Sequence, residues 1–199
     1  MMKTAPLILT ALLLAGCATP SYVSPVEVTR FAAPQSELGQ ANLGRGTISI
    51  DAGPGTDGSS LGYAAFADAL RSELAALGYN VVAQGGVQVA LVSLSQSVSL
   101  PDRRSPVSVG GGGSVGSYGS GVGLGIGLDL SPRPAEAIET QLSLAIRSAS
   151  GGTNLWEGRA NMSASANSDY GTAQAAAARM ADALLQGFPG TSGETILVQ

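Results

Sequence analysis

A chain of 199 residues with a formal net charge of −4, one cysteine and no histidine is long enough for one domain with a real core and too short for two comfortable ones. With no histidine, Ser-His-Asp triads and His-based metal sites are excluded, and the reading is non-enzymatic, with no catalytic residue, cofactor or metal site expected. Arginine supplies nearly all the positive charge and Arg103-Arg104 is the only basic doublet, so nucleic acid is not an expected partner.

Lys3 and the apolar run Pro6 to Leu14 have the layout of a secretory signal, and the run is shorter than the roughly 20 residues of a spanning helix. Leu14-Ala15-Gly16-Cys17 then resembles the bacterial lipobox. That resemblance implies cleavage after Gly16, acylation of the Cys17 thiol and of the new amino terminus, and a lipid anchor as the membrane partner. Several acyl chains on one residue hold a protein far more firmly than one chain, at about 0.8 kcal/mol per buried methylene. Ala18 and Thr19 follow Cys17 where an inner-membrane retention signal would place Asp, so the expected address is the cell envelope, at the periplasmic face of the outer membrane. Cys17 is then taken by lipid, which leaves no disulfide, and Lys3 is lost with the signal peptide.

The expected organisation is a signal peptide over residues 1–16, a lipidated tether over 17–25 rich in Pro and Ser, and a single α+β domain over 26–199. Val26, Val28 and Phe31 suggest a first strand, and Thr47-Ile48-Ser49-Ile50 a second with period-2 alternation. After the Gly53–Gly58 break, Ser59 or Ser60 caps a helix in which Tyr63, Phe66, Leu70, Leu74 and Leu77 recur at three and four residues, and Gly78 stops it. Asn80 to Ala83 reads as a short strand and Val87 to Leu100 as a long one. The apolar set of the long strand changes parity between Leu91 and Leu94, which predicts a bulge or bend.

Pro101 to Pro106 is a polar break before a Gly-rich insertion over 107–127. At the end of the insertion Val122, Leu124, Ile126, Leu128 and Leu130 alternate with Gly121, Gly123, Gly125, Gly127 and Asp129, a strand with one apolar face and one nearly bare face. The plainer reading is a hairpin loop joined to a strand that lets another backbone pack closely. The sharper reading is an edge for strand addition by an envelope protein, or a surface for lipid near the anchor. A spanning barrel strand is not expected from a single hairpin in an isolated subunit, because the neighbouring strands lack a lipid-facing pattern. Strands then follow through Leu142, Leu144 and Ile146 and from Leu155 to Ala166. A helix over Gly171–Gln186 has Ala173, Ala176, Ala177, Met180, Ala181, Leu184 and Leu185 on one side, and Ile196-Leu197-Val198 returns as an edge segment. The fold class is therefore α+β, a mostly antiparallel sheet with both helices on one face.

Leu77-Gly78-Tyr79, the Gly-rich middle, Leu155-Trp156-Glu157-Gly158-Arg159-Ala160, Phe188-Pro189-Gly190 and Gly193-Glu194-Thr195, in this order behind Cys17, resemble the lipoprotein family called domain of unknown function 4136. The resemblance spans roughly Val26 to Val198 and implies an α+β envelope lipoprotein with no assigned reaction.

Few residues offer other chemistry. Gly53, Gly55 and Gly58 satisfy G-x-G-x-x-G between a strand and a helix, but Pro54 removes an amide and Asp57 would repel a pyrophosphate, so a connecting loop is expected; Gly111, Gly113 and Gly116 match with no helix after them. Glu136 and Glu139 are the one close pair of glutamates and read as solvated rather than as a dyad. Glu157 and Arg159 suggest a surface cross-strand charge pair, and Trp156 a core residue. The function expected is that of an outer-membrane-anchored accessory or interaction module. The alternative is a binding module for an apolar or envelope ligand, such as an accessory to lipid transport, which co-purified lipid would favour.

Overall fold

The structure, a computed structural model, describes residues 19–33, 43–99, 107–116, 119–128, 135–152 and 154–199. The segment read as a signal peptide, Cys17 and the Pro101–Pro106 break lie outside these residues, as do Leu100, Asp129 and Leu130. The chain divides into two compact units, one of residues 1–20 and 101–135, the other of residues 21–100 and 136–199.

In the larger unit, alternation builds β1 (Val26–Ala32) and β2 (Thr47–Ala52). The helical spacing of Tyr63, Phe66, Leu70 and Leu74 builds α1 (Leu61–Ala76), whose Ser60 hydroxyl accepts the Tyr63 amide at 3.1 Å as the N-cap. Beyond the helix end Gly78 takes φ +103°, where a side chain would be strained. There follow β3 (Asn80–Val82), β4 (Gln88–Ser99), β7 (Ala137–Ser148), β8 (Asn154–Ser165), α2 (Ala173–Leu185) and β9 (Thr195–Val198), with β5 (Val107–Gly116) and β6 (Gly119–Leu128) in the smaller unit. Thr172 caps α2 by accepting the Ala175 amide.

Among the described residues the sheet has seven strands in the order β3-β2-β4-β7-β8-β1-β9. The fold is α+β, and the sheet is mixed where a mostly antiparallel one was expected. The correction arises from α1: a chain that leaves β2 through a helix returns alongside it in the same direction, so β2 is parallel to β3 and also to β4. The remaining pairs are antiparallel. Both helices share one face, where Phe66, Leu70, Leu74, Met180 and Leu184 join Val26, Val28, Ile48, Leu142, Leu144, Ile146 and Trp156 in one core. Each fully buried Leu or Ile there contributes about 1.5–3 kcal/mol. The alanines Ala176, Ala177, Ala181 and Ala183 are buried, which lets α2 approach closely.

Four details depart from the expectations. Pairing begins before Val26, within the segment read as tether: Val23 bridges Ala164, and the amides of Tyr22 and Ser24 donate to Ser165 Oγ at 2.7 Å and the Ser163 carbonyl at 2.8 Å. Phe31 is 54% exposed, because Val26, Val28 and Arg30 form the inward set of β1. β4 carries no bulge against β7: its pairing is continuous from Gln88 opposite Ser148 to Ser99 opposite Ala137, with Gln88, Ala90 and Val92 all inward. The register shift lies instead between Ile146 and Arg147, where β7 meets β8.

In the smaller unit β5 (Val107–Gly116) pairs antiparallel with β6 (Gly119–Leu128) without interruption, from Val107 opposite Leu128 to Gly116 opposite Gly119. The Gly-rich insertion is therefore strand on both sides. Four consecutive glycines, Gly110 to Gly113, hide β5 from any propensity argument.

Candidate interaction surfaces

The loop after β2 spends its polar groups on itself. Asp57 Oδ1 accepts from the Ser59 amide and hydroxyl at 2.9 and 2.6 Å, and these bonds hold the Asp57 carboxyl below its ordinary pKa. Ser60 occupies the helix N-terminus, and Thr56 Oγ1 accepts from the Leu94 amide at 3.1 Å. A side chain on Gly53 would meet Ser93 Oγ and lie 3.2 Å from the Val92 carbonyl oxygen, so this glycine serves close strand contact. This arrangement favours the connecting loop over a phosphate cradle.

Glu136 and Glu139 are both exposed, and three residues apart along an extended path they fall on opposite sides. They do not converge on one substrate. Glu157 and Arg159 lie on the sheet face opposite Trp156, but no charge pair spans the strands directly: Arg159 stands opposite Thr29 and Ser143, and Glu157 accepts from the Asn154 amide group. Among the described residues no three acidic, His or Cys side chains gather as a metal group.

Trp156 is buried, donates from Nε1 to the Pro189 carbonyl at 2.8 Å and stacks at a tilt on Phe188, with centroids 5.1 Å apart. Gly158 lies under its ring. Beside this cluster is a residue the sequence reading passed over, Arg30, which is 5% exposed and donates from Nη2 to the Ala183 carbonyl at 3.1 Å. Burial lowers its pKa and the charge of Glu194 partly opposes that shift. Gly190, at φ +74°, leaves room for the guanidinium: a side chain there would come within 2.9 Å of Nη1. Thus Trp156, Gly158, Phe188, Pro189, Gly190 and Glu194 form one clasp that fastens the C-terminal loop over β8 and α2. The signal that could have found Arg30 was its parity with Val26 and Val28.

One end of the sheet gathers several loose threads. Ser99, Ala137 and Ser165 are register neighbours there, and Ser165 exchanges bonds with Tyr22. Tyr22, Ser99, Ala137 and Ser165 therefore lie at the same end of the sheet. Tyr22 and Val98 at this end are each 58% exposed. Arg179, stacked on the Tyr170 ring at 4.5 Å, donates to the Ser24 carbonyl and steadies the entering strand.

In register, Val107, Val109, Gly111, Gly113 and Val115 stand opposite Leu128, Ile126, Leu124, Val122 and Ser120, and Ser108, Gly110, Gly112, Ser114 and Gly116 opposite Gly127, Gly125, Gly123, Gly121 and Gly119.

No family model matches the chain, and no curated protein does. Among solved structures it is similar to a PDZ domain protein from Parabacteroides distasonis, with 12% identity and a TM-score of 0.50 over 89% of this chain. The chain spans 38% of that protein's length. It is also similar to the PelC dodecamer from Paraburkholderia phytofirmans in two crystal forms, with 12% and 10% identity, TM-scores of 0.39 and 0.41, 80% and 84% of this chain covered, and 94% and 99% of the other. Likeness at such identity bears on fold alone.

Proposed function

We propose that this chain is an envelope lipoprotein in which acylated Cys17 holds a non-enzymatic α+β accessory module at the periplasmic face of the outer membrane. The observation that carries the reading is Leu14-Ala15-Gly16-Cys17 behind a short apolar run. The order of the Leu77-Gly78-Tyr79, Trp156 and Phe188-Pro189-Gly190 segments further supports membership of the family called domain of unknown function 4136. The domain's chemistry fits an interaction role: Asp57 is engaged in its own turn, Glu136 and Glu139 diverge, and Trp156 is sealed in the core.

The test is metabolic labelling with an alkyne palmitate, followed by membrane fractionation. Wild type is expected to label and to sediment with outer membrane, and Cys17→Ser to lose both properties. A Cys17→Ser protein that still labels overturns the reading.

A further inference from the structure

β9 is an outer strand of the seven-stranded sheet, and among the described residues no strand lies beyond it. Its pairing with β1 fixes which of its backbone groups are already used. Just past β1 the Ala33 amide donates to the Leu155 carbonyl of β8, whereas the Arg30 amide donates to the Glu194 carbonyl and the Arg30 carbonyl accepts from the Gly193 amide. The two sides of a strand alternate, so the even residues of β1 bond toward β9 and the odd ones toward β8. Ile196 and Val198, opposite Val28 and Val26, therefore bond inward. Thr195 and Leu197, opposite Thr29 and Glu27, turn their amides and carbonyls to the free edge, and Gln199 continues the series.

The side chains of this edge are incompletely covered as well. Leu197 is 65% exposed, and Ile196 and Val198 pack against the core yet are only half-buried. From Thr195 to Gln199 there is neither a charge nor a proline, two devices that keep an edge strand from taking a neighbour. The segment is also complementary to itself. Laid antiparallel against a second copy about a twofold axis at Leu197, it sets Leu197 opposite Leu197, Ile196 opposite Val198 and Thr195 opposite Gln199, so apolar meets apolar and polar meets polar. In that register the outward backbone groups of Thr195, Leu197 and Gln199 face their counterparts and exchange hydrogen bonds. Centring the axis on Ile196 or Val198 instead would set Leu197 against Thr195 or Gln199.

We propose that β9 joins two copies of this chain edge to edge, continuing one sheet across both. A second copy is the partner because the uncharged edge offers a foreign strand no charge to read, while its own pattern matches itself residue for residue. The inference goes beyond the lipoprotein reading and does not depend on it, since no step of the pairing involves Cys17. Strand pairing over so few residues is a contact smaller than the roughly 1,000 Å² of a stable complex, so the dimer is weak, with a Kd on the order of 100 µM in free solution.

The test uses the full chain, purified in detergent and held at several times that concentration. Thr195→Cys, Leu197→Cys and Gln199→Cys are treated with a thiol crosslinker short enough to join only facing residues, whose Cα atoms lie about 5.5 Å apart. Expected are dimers from Leu197→Cys alone and from Thr195→Cys mixed with Gln199→Cys. Neither of the latter two is expected to crosslink to itself, because like positions then lie about 14 Å apart at about 3.4 Å per residue. Leu197→Lys, which sets like charges opposite each other, and Leu197→Pro, which removes only an outward amide, are each expected to abolish the 195–199 crosslink while Trp156 emission reports an intact fold. Equal crosslinking of all three cysteine variants, a dimer that persists in both Leu197 variants, or protein that stays uncrosslinked overturns the proposal. A crosslink in the unsubstituted protein reports an unacylated Cys17, bears on the anchor alone, and is removed by Cys17→Ser.

Discussion

Trp156 and Gly158 illustrate how closely neighbouring residues of β8 depend on each other. The indole crosses the space a side chain at 158 would need, and a Cβ there would also lie 2.8 Å from Leu184 Cδ1. Gly158→Ala is therefore expected to cost about 1–3 kcal/mol through overpacking, read as a lowered urea midpoint with Trp156 fluorescence as the probe. An unchanged midpoint would show that the ring moves freely. Tyr79 gives a pH signature. Burial raises the pKa of its phenol, only partly offset by a hydrogen bond with the Gly44 backbone, so the neutral form is favoured in the fold. Its contribution is fully present below the unfolded tyrosine pKa of about 10 and is lost as pH rises through the higher folded value. Wild type is expected to lose stability steeply above that range and Tyr79→Phe less steeply; parallel pH profiles would refute the assignment. Tyr63, whose pKa is also raised by burial, adds slope of the same sign. Single residues were unevenly legible in the sequence. Trp156 as core was readable from its size, but Arg30 was not, since charge argued for solvent while parity argued for the interior.

Elements were legible where side-chain pattern alone decided them. α1 and α2 have uninterrupted helical spacing and hydroxyl caps, and both form where expected to within two residues. β4 misled because Leu91 is apolar yet on the half-buried outer side, which mimics a change of parity. β5 was missed because glycine has no side chain to reveal alternation, and its strand character comes from pairing with β6. That ribbon is also separable. Ser99 and Ala137 stand opposite each other where β4 ends and β7 begins, so a two-residue turn can replace the whole excursion between them. Replacement of residues 100–136 by Asn-Gly is expected to leave the thermal midpoint within a few degrees of wild type, measured by circular dichroism. A fall of more than about 10 °C, beyond the several degrees expected for a 1 kcal/mol change, would make the ribbon part of the folding unit.

At the scale of the whole molecule, the mixed sheet was the feature hardest to foresee, because the parallel direction of β2, β3 and β4 is set by where the chain crosses over and not by any residue within the strands. The chain's entry into the sheet has a mechanical consequence. Tyr22 to Ser24 lead directly into β1, which runs between β8 and β9 and is antiparallel to both. Tension applied at Tyr22 thus acts along a strand axis. Held against Ser150, in the turn at the far end of β8, β1 must slide past its neighbour with many bonds loaded together. Held against Gln199, which follows Val198 opposite Val26, it peels from β9 one pair at a time. Single-molecule pulling with handles at residue 22 and at Ser150→Cys in the Cys17→Ser background is expected to require more force than pulling between residues 22 and 199, and equal forces would refute this. The fold therefore resists a pull on its N-terminal end by shear, and its weaker direction is the one that lifts away the C-terminal strand.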